Sequence, residues 1–224
     1  MISGLFERLL TAIFSCLLIS FSSLAAEYTF DLNVGYRQDS LNWYTFTEGS
    51  TSSGTINSLK WTYLEMAQYC AAFKAKTFQN LYFRLDADYA CICSGNARDV
   101  AFLTDDDPIV FSRTKGHSNN GYAYDVSIGL GYTFLLGCYQ NVSITPTIGY
   151  AYDVLSVKTL EGEQVIDTQN PQNLGPLDSL HSTYKASWES LWLGLDVSYQ
   201  MLQNLKLIGF IEYHWARYRG TGDW

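Results

Sequence analysis

Apolar and polar residues alternate with a period of two along most of this chain. Tyr28, Phe30, Leu32, Val34 and Tyr36 fall on one face, with Thr29, Asp31, Asn33, Gly35 and Arg37 on the other. Residues 81–93 split the same way, Leu81, Phe83, Leu85, Ala87, Tyr89, Cys91 and Cys93 against Tyr82, Arg84, Asp86, Asp88, Ala90 and Ile92. In residues 122–134 aromatic and branched side chains oppose Ala123, Asp125, Ser127, Gly129, Gly131 and Thr133, a small face that suits the inside of a narrow barrel. Residues 142–154 repeat the pattern, with Pro146 predicting a bulge or weak pairing. Residues 57–75, 184–200 and 205–218 alternate less cleanly, but Leu59, Trp61 and Tyr63, and later Leu191, Leu193 and Leu195, mark apolar faces. Alternation of this kind predicts strands. Seven strands result, each at least about ten residues long, which is enough to cross a hydrocarbon layer at a steep tilt and about twice the average in soluble domains.

The connections alternate between short (76–80, 135–140, 200–204) and long (38–56, 94–121, 156–183), the asymmetry of outer-membrane barrels. The predicted fold is all-β, an antiparallel up-and-down transmembrane β-barrel with seven strands present. Bacterial barrels close with an even count, and residues 219–224 read as the start of another surface loop. The expectation is therefore a barrel truncated from about ten strands, with a multichain barrel as the alternative.

Residues 1–25 read as a secretory signal peptide: Arg8 precedes the apolar stretch Leu9 to Leu24, which ends in Ala25 and Ala26, leaving 26–224 as the barrel domain. No other stretch approaches 18 consecutive apolar residues, so any membrane span in the mature part must be made of strands. The net charge is −8, and Lys and Arg form no basic run, so the electrostatic footprint of a nucleic-acid binder is missing. Cys16 falls in the signal, while Cys70, Cys91, Cys93 and Cys138 match no zinc spacing. Cys70 and Cys91 would face each other across a turn centred near Asn80 and could form a disulfide. Trp43, Trp61, Trp188, Trp192 and Trp215 sit near predicted strand ends, where aromatic girdles anchor barrels.

The polar face carries Asp31, Arg37, Lys60, Arg84, Asp86, Asp88, Asp125, Asp153, Asp196 and Lys206, the expected lining of a pore. Acids outnumber bases, so a water-filled passage would favour cations. A packed lumen in which these groups pair with one another is the other reading. Asp86-x-Asp88 and Glu212-x-His214 each place two polar groups on one strand face, a spacing that acid–base chemistry can use but that polar lumens also contain. Asp105, Asp106 and Asp107 read as a solvated loop, and His117, His181 and His214 as residues in or near outer loops. No metal, cofactor or catalytic residue is assigned.

Ser94-Gly95-Asn96-Ala97-Arg98-Asp99, the stretch Gly121 to Tyr132, Thr145-Pro146-Thr147-Ile148-Gly149-Tyr150 and Glu212-Tyr213-His214-Trp215-Ala216 together resemble the Protochlamydia outer membrane protein family of environmental chlamydiae. The resemblance implies a porin-like barrel in the bacterial outer membrane, in contact with its lipid and passing small hydrophilic solutes or ions, with further strands beyond Trp224. The layout is also similar to omptins, outer-membrane proteases. Asp99 can stand for their first acid, but Ala101 takes the position two residues on, and Asp223 has no histidine behind it. An omptin-type protease and a non-conducting adhesin are the alternative functions.

Overall fold

The computed structural model describes residues 25–46, 56–102, 109–137, 139, 141–177 and 182–223. Residues 1–24 of the predicted signal peptide, Asp105 to Asp107, Cys138, His181 and Trp224 lie outside the described residues.

The described chain is entirely strand and turn. Its strands are β1 (Ala25–Phe46), β2 (Ile56–Thr77), β3 (Leu81–Phe102), β4 (Val110–His117), β5 (Tyr122–Tyr132), β6 (Phe134–Leu136), β7 (Val142–Asp167), β8 (Gly175–Pro176), β9 (Ser182–Leu202) and β10 (Leu205–Asp223). All pair antiparallel in one sheet. β4, β5 and β6 follow one another along the same path between β3 and β7, broken at Ser118 to Gly121 and at Thr133, so the wall has seven staves, as the alternation predicts. The second break lies opposite Thr145 and Pro146, which pair with β9 but not with the β5 side. Proline brings no N–H, and the ladder opens there.

β1 and β10 end the sheet, and no pairing joins them among the described residues. The wall is nonetheless strongly curled, because side chains of staves far apart in the order meet inside it. Arg37 on β1 bonds Asp125 on β5 at 2.6 Å, Tyr82 on β3 donates to Asp196 on β9 at 3.1 Å, and Arg84 on β3 reaches Glu212 on β10.

The staves are much longer than the alternation alone predicts. β1, β2 and β3 have 22 residues each and β7 has 26. The described parts of the predicted long loops 38–56, 94–121 and 156–183 are thus largely strand. The reason is a reversal of polarity along each stave. In the lower part, exposed apolar and aromatic side chains form an outer band, from Tyr28 to Tyr36 on β1 and from Leu205 to Trp215 on β10. Each run has the roughly ten-residue length of a tilted crossing strand. In the upper part the apolar residues turn inward. Leu59, Trp61, Leu64, Met66, Ile92, Leu155, Val157 and Tyr184 form a buried core, while Lys60, Arg98 and Lys115 are exposed outside. An outer surface that meets water has no need of apolar alternation, so the sequence signal fades where the staves leave the bilayer.

The outer band also reports the tilt of the staves. On β1 it ends above at Tyr36, whereas Trp215, its upper end on β10, shares a register row with Phe30. The band slips by roughly one residue per stave, and with about 3.3 Å per residue against about 4.8 Å between strands that is a tilt of roughly 35°.

Candidate functional site

The membrane-level lumen holds the candidate site. Of the predicted lining, Asp31, Arg37, Arg84, Asp86, Asp88, Asp125, Asp153, Asp196 and Lys206 share the parity of the inner face, while Lys60 does not. Leu59 and Trp61 are buried inside, so Lys60 between them points out. The cause is a bulge. The β2–β3 register shifts between Thr62 and Glu65, Tyr63 takes a left-handed φ of 53°, and the inward set passes from odd positions to Leu64 and Met66. An extra residue flips every side chain beyond it.

The same parity adds to the lining Glu27, Asp39, Lys74 and Lys76, which the sequence reading left out, and Glu212 and His214, which it gave only as a same-face pair. His214 is not in an outer loop; it lies on β10 in the register row of Trp192. Following the parity from Arg37, from Cys70 and from Lys206 along their staves finds all of these.

These groups form two polar chambers with a belt between them. The upper chamber, of about 400 Å³, is lined by Arg37, Asp39, Asp125, Asp153 and Trp188. Asp88, Asp125 and Asp153 occupy one register row on three adjacent staves, three carboxylates side by side. Arg37 meets this row from the opposite wall, bonding Asp125 at 2.6 Å and Asp39 at 2.8 Å. The lower chamber, of about 410 Å³, is lined by Glu27, Asp31, Asp196 and the three lysines Lys74, Lys76 and Lys206. Lys76 pairs with Glu27 at 2.8 Å.

The belt is one register row, Lys74, Arg84, Gly129, Gly149, Trp192 and His214. Arg84 is held by Asp86 and Glu212 and stands over the Trp192 ring, 5.7 Å from its centroid. Trp192 stacks on His214 and is fully buried. It fits because its neighbours lack side chains: a Cβ on Gly149 would overlap the indole, and one on Gly129 would sit 2.6 Å from it.

Ser190 Oγ lies 3.2 Å from His214 Nδ1, and His214 Nε2 lies 3.3 Å from Glu212. This is a serine–histidine–carboxylate chain. Glu212 is already engaged by Arg84, however, and Ser190 is only 2% exposed. The amides around Ser190 belong to the β9 ladders, which leaves no free pair of donors for an oxyanion. The chain gives the buried Ser190 hydroxyl its partner. The predicted pairs Asp86-x-Asp88 and Glu212-x-His214 are both present, and Arg84 joins the first to the second.

Above the upper chamber aromatic rings pack into the lumen, beside a cavity of about 320 Å³ lined by Leu59, Trp61, Thr159 and Ser182. Trp61 stacks on Tyr184 at 5.3 Å between centroids, Trp43 meets the same ring at 5.5 Å, and Trp61 Nε1 donates to Thr159 at 3.2 Å. Tyr184 shares a hydrogen bond with Tyr218, and burial raises its pKa above the ordinary tyrosine value. Trp43, Trp61, Trp188 and Trp192 therefore face the interior, and only Trp215 of the expected interfacial tryptophans is exposed outside, at 55%. Tyrosines supply the girdle instead, with Tyr69, Tyr89 and Tyr124 in one outer row.

The cysteines do not meet as expected. The turn centres on Gln79, so Cys70 pairs in register with Asp88 and Cys91 with Ala67, on opposite faces of the wall. Cys70, Cys91 and Cys93 are free thiols, the last two exposed.

No curated protein matches the chain. A family model does, over residues 31–224, nearly the whole described wall. Its description, an outer membrane protein, agrees with the outward apolar band, the tyrosine girdle and the polar lumen described above. The chain belongs to the Protochlamydia outer membrane protein family and is a protein of the bacterial outer membrane.

Proposed function

We propose that this protein is a porin-like barrel that lets small hydrophilic solutes or ions cross the outer membrane passively. The observation that carries the reading is the inverted polarity of the membrane section: an apolar outside around an inner wall with two charged chambers of about 400 Å³ and 410 Å³. Nine inward acids (Glu27, Asp31, Asp39, Asp86, Asp88, Asp125, Asp153, Asp196, Glu212) stand against five bases (Arg37, Lys74, Lys76, Arg84, Lys206), which supports a preference for cations. The preference belongs to the upper chamber, since the lysines gather in the lower one.

Conductance in a planar bilayer tests this. Discrete steps with a cation-selective reversal potential are expected, and the triple change Asp88→Asn, Asp125→Asn, Asp153→Asn should move that potential toward zero. A silent bilayer from correctly folded protein would sink the proposal.

The aromatic layer of Trp43, Trp61 and Tyr184 favours a second reading, a barrel sealed at its outer end that displays its upper part to the surroundings. Cell attachment without conductance would support it. Surface proteolysis draws less support: Asp99 faces Leu59 across the ladder, and Ala101 occupies the place of a second acid. Cleavage of a peptide with basic residues would revive it.

A further inference from the structure

The chain carries a net charge of −8, yet the fold gathers four of its cations on one outer face. Lys60 on β2 pairs in register with Arg98 on β3, and Arg98 with Lys115 on β4, three exposed positive side chains side by side. Arg113 lies two residues from Lys115 on the same face, and its buried Nε finds no acceptor. None of the four makes an ion pair among the described residues. Like charges directly opposite on adjacent strands repel, and no carboxylate among the described residues is ion-paired with them. The row meets Asn42 on β1 and Glu163 on β7, the one carboxylate that adjoins it among the described residues.

Height decides what could lie against this row. On β3 the apolar outer band ends near Tyr89, and Arg98 stands nine positions farther along the stave. At about 3.3 Å per residue and a tilt of roughly 35–45° that is about 20 Å above the band, beyond lipid headgroups. One neighbouring outer row, Thr62, Asn96 and His117, offers hydroxyl, amide and imidazole groups, and the other, Tyr44, Ser58, Val100 and Arg113, holds a single exposed aromatic ring rather than a stacking platform. Spaced cations beside small hydrogen-bonding groups match alternating sulfates and sugar hydroxyls, whereas nucleobases call for stacking rings.

We propose that the outer face of β2, β3 and β4 above the membrane, centred on Lys60, Arg98 and Lys115, binds a linear sulfated polysaccharide. The site is independent of the lumen and of whether the lumen conducts. A linear chain would cross the three staves along the register row, with Arg113 supplying a fourth contact on one side.

The test is retention of the full-length protein, folded in detergent micelles, on immobilised heparin across a salt gradient. Retention at physiological ionic strength is expected, with none on neutral dextran. The triple variant Lys60→Gln, Arg98→Gln, Lys115→Gln should lose at least tenfold in affinity, whereas Lys74→Gln with Lys206→Gln, which neutralises lumen lysines, should elute with the parent. Glu163→Gln removes the adjoining carboxylate and should elute at higher salt than the parent, an outcome that misfolding could not produce. The proposal is overturned if the parent is not retained, if the triple variant elutes with it, or if single-stranded DNA competes as well as heparin at equal charge concentration.

Discussion

Gly129→Ala should destabilise this protein, although the same change in an ordinary strand helps. Replacing glycine by alanine within a strand normally gains about 0.5–1 kcal/mol. At Gly129 the new methyl would sit 2.6 Å from Trp192 Cη2, 2.7 Å from Cζ2 and 3.0 Å from Thr147 Cγ2. The wall cannot yield easily, because Trp192 is fully buried between Arg84, His214 and the facing glycines. Overpacking of this kind costs about 1–3 kcal/mol, so a net loss of roughly 1–2 kcal/mol remains. All three contacts are side-chain atoms, and two belong to the ring that Trp192→Phe would remove. In the Trp192→Phe background the same alanine should therefore recover most of its loss, a coupling of about 1–2 kcal/mol between the sites. Gly149 supplies the contrast: its added Cβ would overlap the Ile128 carbonyl oxygen as well as the indole, so shortening the ring should not rescue Gly149→Ala. The assay is the urea midpoint of protein folded into lipid vesicles, followed by heat-modifiable migration. A Gly129→Ala variant as stable as the parent, or an identical loss in both backgrounds, would refute the packing argument.

Other consequences can be measured in the same preparation. Arg84→Met strands Asp86 and Glu212 in the lumen; a loss of about 1–3 kcal/mol is expected after allowing for water in the chambers, and Glu212→Gln in the same chain should restore part of it, as urea titration of the single and double variants will show. Asp99, above the membrane, has its carboxyl pKa raised from the ordinary 3.8 by desolvation. A raised folded pKa means that its ionisation weakens the fold as pH climbs from about 3.8 through the folded value, so Asp99→Asn should raise the midpoint at pH 7, leave it nearly unchanged below pH 3.8 and flatten the slope between. Mass spectrometry after thiol alkylation of the native protein should find no peptide linking Cys70 to Cys91, since the wall separates them; a linked pair would mean that the β2–β3 register is wrong.

Much of this molecule is written in its alternation, and the failures have definite causes. The lower part of each stave follows strict parity, and there the lining residues from Asp31 to Asp196 were legible because one face meets lipid and the other does not. Lys60 is misplaced because Leu59 and Trp61 read as the lipid side, whereas beyond the bulge at Tyr63, whose φ of 53° no composition signal marks, the apolar face is the inner one. Trp188 and Trp192 share the parity of Ser190 and Asp196, so their inward direction was available in the sequence. The expectation that tryptophan belongs in a girdle overrode it. The upper part was missed as strand because its two faces exchange roles, with Trp61, Leu64 and Tyr184 inside and polar groups outside. The cationic row was invisible for another reason: Lys60, Arg98 and Lys115 are far apart in the chain, and only the register brings them together.

The directions of the sheet's two margins, which are unpaired among the described residues, carry a consequence for closure. Neighbouring staves alternate in sense, so β1 and β10, first and seventh in the wall, point the same way. A seam made directly between them would be a parallel ladder, unlike every other junction in the sheet. Two copies of this wall inserted with one orientation face the same obstacle, since each brings margins of identical sense. An antiparallel seam needs an odd number of alternating staves between β10 and β1, and adding one or three gives the even totals at which bacterial barrels close. Within the hydrocarbon, where an unpaired strand margin cannot face lipid, that parity rule governs any polypeptide that completes the wall.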